Sequence, residues 1–68
     1  MISYDNLWNL LKNKGITKYE LYTRYKISKT ILYRMYNNEY VSLNTIDKLC
    51  DVLDCNVEDI ITHYKSTK

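Results

Sequence analysis

The sequence has no proline, no phenylalanine and a single glycine. A β-sandwich or barrel needs many tight turns, and such turns draw on glycine and proline. Their scarcity points to short helices, ended by capping residues and packed closely. No apolar run approaches the roughly 18 residues of a transmembrane helix, so no membrane-spanning helix is expected. Met1-Ile2-Ser3-Tyr4-Asp5 lacks the basic and apolar stretches of a secretory signal, and a cytoplasmic protein is expected. A chain with one glycine has no phosphate-binding glycine loop. No nucleophile–base pair is readable either. The expectation is a protein that is not an enzyme, with no cofactor and no small-molecule substrate.

Cysteine and histidine are also scarce. Cys50 and Cys55 both fall where a helical pattern asks for apolar residues, and free cysteine packs as a small hydrophobe. Their C-x4-C spacing matches no zinc signature, with only His63 to join them; no metal site is expected. Sixty-eight residues allow one domain, so residues 1–68 are read as one unit. A chain this short buries only about 60% of its unfolded surface, and few apolar residues can be spared from the core.

The net charge of +2 hides a division. Residues 12–34 carry Lys12, Lys14, Lys18, Arg24, Lys26, Lys29 and Arg34 against Glu20 alone, a net of +6. Residues 39–59 carry Glu39, Asp47, Asp51, Asp54, Glu58 and Asp59 against Lys48, a net of −5. Lys65 and Lys68 form a small basic tail. A basic half beside an acidic half suits a polyanion binder with one working face.

Five helices are predicted. The first spans about Tyr4 to Lys14, with Ser3 able to cap it, a stripe of Leu7, Trp8, Leu10 and Leu11, and Gly15 as a left-handed stop. The second starts at Thr17, where Thr17-Lys18-Tyr19-Glu20 forms a capping box; Leu21 and Tyr25 face inward. Ser28 opens the third, Lys29 to about Asn37, with Ile31, Leu32 and Met35 buried. The fourth follows Ser42, with Leu43, Ile46, Leu49, Cys50 and Leu53 at helical spacing. The fifth follows Asn56, where Val57, Ile60, Ile61 and Tyr64 recur at helical spacing. His63 is placed near its C-terminus, where an imidazolium favours the dipole. Tyr25, Tyr64 and Trp8 are expected in the core, and Tyr19, Tyr33 and Tyr40 on the surface.

Two short helices separated by about three residues cross steeply, which is the helix-turn-helix arrangement. Leu21, Tyr25, Ile27, Leu32 and Met35 supply its buried side. At about 100° per residue, Lys29, Thr30, Tyr33, Arg34 and Asn37 share one outward face of roughly 140°. That face holds two cations, a hydroxyl, a phenol and an amide, and no carboxylate to repel phosphates. A helix so equipped suits the major groove of duplex DNA: Arg34 or Lys29 donates to guanine, Thr30 meets a base or a thymine methyl, and Tyr33 reaches sugar-phosphate or a methyl. Lys18 and the backbone N–H groups opening the second helix suit a phosphate clamp. Asn38 and Tyr40, in the loop after the third helix, suit phosphate contact; Glu39 does not.

The stretch from Ile16 to Met35 resembles the core of the lambda-repressor/Cro-like (XRE) family, and Val41 to Ile60 resembles that family's fourth and fifth helices. The likeness runs from about Tyr4 to Tyr64. It implies an all-α, compact five-helix fold with a helix-turn-helix in helices 2 and 3, binding of operator-like double-stranded DNA, and a homodimer. By position it sets Lys18 at the phosphate clamp and Lys29, Thr30 and Arg34 at base-reading positions. A nucleoid-associated transcriptional regulator is expected, a repressor rather than an activator.

Four positions depart from the family pattern. Tyr22 replaces a small residue and should widen the helix crossing or turn its ring outward. Lys26 replaces a glycine at a turn that favours positive φ, at a cost on the order of 1 kcal/mol. Tyr36 replaces a glutamate. Asn38 replaces another glycine, and tolerates left-handed backbone well. A protein-interaction or antitoxin-like module, working through the acidic helices 4 and 5, is the alternative. A peripheral membrane binder fails, because no helix joins a broad apolar face to a dense basic one.

Overall fold

The computed structural model describes residues 1–65; Lys68 of the basic tail lies outside them. Four α-helices follow a two-residue strand: β1 (Ile2–Ser3), α1 (Asp5–Lys14), α2 (Lys18–Thr23), α3 (Lys29–Tyr36) and α4 (Leu43–Leu53). A 3-10 turn at Val57–Asp59 and a second strand, β2 (Thr62–His63), complete the described chain.

Local chemistry sets the helix starts. Thr17 Oγ1 accepts from the Glu20 N–H at 3.0 Å while Glu20 Oε1 accepts from the Thr17 N–H at 3.2 Å, so the capping box of α2 forms in full. Ser28 and Ser42 cap α3 and α4 by accepting from the Ile31 and Thr45 N–H groups. Ser3 Oγ accepts from the Asp5 N–H at 3.2 Å, although Tyr4 is the residue that directly precedes α1.

The helix ends share one device. Gly15, Asn38 and Asp54 take left-handed φ of 69°, 56° and 51° after α1, α3 and α4. The next N–H then turns back onto the helix: Ile16 to the Leu11 carbonyl, Glu39 to that of Arg34, Cys55 to that of Cys50. Such six-to-one bonds satisfy carbonyls that a helix end leaves unpaired. Lys26, in the turn between α2 and α3, has φ 59°, as its position in the turn predicted.

The core gathers Tyr4, Leu7, Leu11, Leu21, Ile27, Leu32, Met35, Ile46, Leu49, Leu53 and Ile60. Trp8, Leu10, Ile16, Tyr25, Ile31, Cys50 and Cys55 pack partly buried against it. Both cysteines are free. Tyr4 is the buried tyrosine, at 2% exposure. Its hydroxyl donates to the Glu39 carbonyl at 2.7 Å, and its N–H donates to Asn38 Oδ1 at 3.2 Å. Both bonds tie the start of the chain to the loop after α3.

The predicted fifth helix is not formed. One 3-10 turn replaces it, with the Asn56 N–H donating to Asp59 Oδ2 at 3.0 Å. The chain then extends, and β2 pairs antiparallel with β1, Ile2 opposite His63 and Ser3 opposite Thr62. Asn6 Nδ2 fastens this segment to α1 through the Glu58 carbonyl and Thr62 Oγ1. The run Ile60-Ile61-Thr62 is β-branched throughout and suits a pleated strand better than a helix. The all-α expectation therefore becomes a mostly helical fold with a two-stranded ribbon. Ile60 is buried, but Val57 and Tyr64 are about half exposed, so Tyr64 is not a core residue. His63 is exposed in a strand rather than at a helix end. No helix among the described residues is long and apolar enough to cross a membrane.

Candidate nucleic-acid interface

The turn between α2 and α3 is built from the inside. Leu21, Ile27, Leu32 and Met35 are all buried, which anchors α2, the turn and α3 to one core. The Ile27 N–H donates to the Leu21 carbonyl at 3.0 Å and closes the turn. Left-handed Lys26 lets the backbone reverse there. Its carbonyl faces Lys48 Nζ of α4 at 3.5 Å.

With that side buried, helical geometry turns the other side of α3 outward. Lys29, Thr30, Tyr33, Arg34 and Asn37 are all exposed. They form one ridge without a carboxylate. Tyr33 is 67% exposed, so its phenol is free to touch a partner. Asn37 folds back, its Nδ2 donating to the Tyr33 carbonyl at 3.0 Å. Lys18 belongs to a different helix, as the exposed first residue of α2.

Asn38 and Tyr40 lie in the loop after α3, both exposed. Asn38 has its side-chain oxygen engaged by the Tyr4 N–H. Tyr40 is free at 77% exposure. Glu39 lies between them, and its carbonyl is held by the Tyr4 hydroxyl.

Three rings that sequence reasoning did not connect to this surface lie under its lysines. Lys18 Nζ sits 4.5 Å from the Trp8 ring centroid and 4.4 Å from that of Tyr36. Lys29 Nζ sits 4.6 Å from that of Tyr22. All three distances are within reach of a cation–π attraction. Tyr22 does turn outward, at 39% exposure. The available signal was that two of the four departures from the family pattern, Tyr22 and Tyr36, are aromatic residues in a lysine-rich stretch. Glu20 is the one acid of this half, and it is occupied by the Thr17 cap and by Arg24 at 3.7 Å.

The Cro/C1-type HTH DNA-binding domain model matches residues 6–66, and the chain belongs to that family. No curated protein matches it. Among solved structures, the chain is similar to the crystal structure of transcriptional regulator VanUg, Form II. The two share 36% sequence identity and a TM-score of 0.84, over 90% of this chain and 81% of that one.

Proposed function

We propose that this member of the Cro/C1-type HTH family regulates transcription by binding a specific site in double-stranded DNA, with α3 in the major groove. The observation that carries the reading is the exposed, carboxylate-free ridge of Lys29, Thr30, Tyr33, Arg34 and Asn37 above a buried anchor. Side chains of these types match the donors and acceptors on base edges. Lys29, Thr30 and Arg34 read bases, Tyr33 reaches a methyl or sugar, and Asn37 flanks them. Lys18, Asn38 and Tyr40 hold phosphates, Asn38 through its amide nitrogen, since its oxygen is engaged. Residues 1–68 act as one reading domain in the cytoplasm, on the nucleoid. As a homodimer the protein sets two α3 helices about 34 Å apart on a pseudo-palindrome. Occupancy of such a site blocks other proteins, which makes repression the expected output.

Selection of bound sequences from a random duplex pool, followed by titration of the selected site, tests this. Lys29→Ala and Arg34→Ala should each lose about 5- to 100-fold in affinity for the selected site and relax its sequence preference. Unchanged affinity in both variants refutes the ridge as the reading surface.

A second reading rests on Asp47, Asp51, Asp54, Glu58 and Asp59, which are all exposed along α4 and the 3-10 turn. They present an acidic face to a basic protein partner, as an antitoxin-like docking module would. Absence of any shift of random duplex at low salt and micromolar protein favours that reading over the first.

A further inference from the structure

Lys18 opens α2, yet its ammonium lies within about 4.5 Å of rings on two other helices: Trp8 of α1, and Tyr36 in the last position of α3. We propose that Trp8 and Tyr36 are positioning residues that hold the Lys18 ammonium ready for one phosphate of the DNA backbone. This rests on the DNA-binding reading above.

The following observations carry it. A free lysine has many rotamers and loses that freedom on gripping a phosphate; contact with one ring on α1 and one on α3 already restrains it here. The rings are neutral, so they order the ammonium without cancelling its charge. A carboxylate at position 36 would pair with Lys18 and compete with a phosphate for it. The Lys18 ammonium also makes no hydrogen bond or ion pair among the described residues, where the one salt bridge is Arg24–Glu20. Its three N–H donors are therefore still to be used. Trp8 is a firm platform because it packs against the core. Tyr36 is 64% exposed, so little besides the lysine explains its ring.

The test is a double-mutant cycle on the full chain, with a random-sequence duplex of about two helical turns as the probe at low salt. Tyr36→Phe and Trp8→Phe keep a π face and should bind within about twofold of the parent. Tyr36→Leu and Trp8→Leu should each weaken binding about three- to tenfold, equally across sequences. In a Lys18→Ala background, Tyr36→Leu should change nothing further. Trp8 is the only tryptophan, and its emission should change on adding duplex to the parent but not to Lys18→Ala. If Trp8→Leu does not fold, the exposed Tyr36 variants still complete the cycle. Equal losses from Tyr36→Leu with and without Lys18, or no loss at all, overturn the positioning role. A parent that binds no duplex at micromolar concentration overturns the DNA-binding reading itself, before any variant is compared.

Discussion

Lys26 and Asn38 have nearly the same left-handed backbone, φ 59° and 56°, yet replacing each by glycine should move stability in opposite directions. At Lys26 a Cβ-bearing residue in this conformation costs about 1–2 kcal/mol. Glycine removes that strain but gives the unfolded chain more freedom, which takes back about 0.4–1 kcal/mol. The Lys26 side chain is exposed, and the contact from Lys48 goes to its backbone carbonyl, so nothing else of weight is lost. Lys26→Gly should therefore stabilise by about 0.5–1 kcal/mol, raising Tm by about 3–6 °C in a domain of this size. Asn38 tolerates the left-handed region better, so glycine gains less there. It also deletes the acceptor for the Tyr4 N–H, and an unpaired donor beside a buried residue costs about 1–3 kcal/mol. Asn38→Gly should destabilise by about 1 kcal/mol. Thermal and urea unfolding followed by circular dichroism measure both. Lys26→Ala is the control, because it removes the same charge and keeps the strain. If Lys26→Gly is no more stable than Lys26→Ala, backbone strain at this turn is not what the φ value implies. If Asn38→Gly gains stability, its bond to Tyr4 carries no energy.

Tyr4→Phe keeps the buried ring and removes only the hydroxyl that donates to Glu39; unfolding should show a loss of about 1–2 kcal/mol, and an unchanged Tm would mean that the loop after α3 does not depend on this bond. Burial first, and Cys50 beside it second, push the Cys55 thiol from 9.0 up to about 11. The native state then holds the proton that the unfolded chain releases, so stability should be full below pH 9.0 and fall as pH rises toward about 11. Burial raises the Tyr4 phenol as well, which extends the same alkaline loss above pH 10. Urea midpoints measured across this range should fall less steeply in Cys55→Ala; parallel curves would show that the thiol is not the group responsible.

The four helices were legible because their starts and stops are local. Thr17 with Glu20, Ser28, Ser42 and Gly15 each act within one turn of chain, and their side chains or backbone do in the structure what their positions predicted. The outward ridge of α3 was legible for a related reason: burying Leu32 and Met35 fixes where Lys29, Tyr33 and Arg34 point. The end of the chain was not legible. Val57, Ile60, Ile61 and Tyr64 keep a helical period, but the competing partner of Thr62 and His63 is Ile2–Ser3, some 60 positions away, and no local pattern reports such a pairing. Tyr4 was missed as a core residue because it stands just before α1, where a periodic stripe has not begun. The rings under Lys18 and Lys29 were missed because they depend on side chains of different helices meeting.

Those rings bear on why the basic half of the chain carries so much charge without neutralising it. Seven cations and one acid lie between residues 12 and 34, and among the described residues a single ion pair, Arg24–Glu20, relieves them. The five acids of α4 and the 3-10 turn are exposed and make no salt bridge with these cations among the described residues. Carboxylates set among the cations would have stabilised the free protein, but each would have cancelled a charge on the surface proposed to meet phosphates. Tyrosine and tryptophan faces are the alternative that restrains a lysine without discharging it. With no phenylalanine in the chain, the aromatic residues on α2 and α3 are tyrosines, and the phenol lets such a ring face water beside a lysine. The self-repulsion left over is a cost of the free state alone, since a polyanion that replaces the missing counter-charges removes it and releases its own bound cations in doing so.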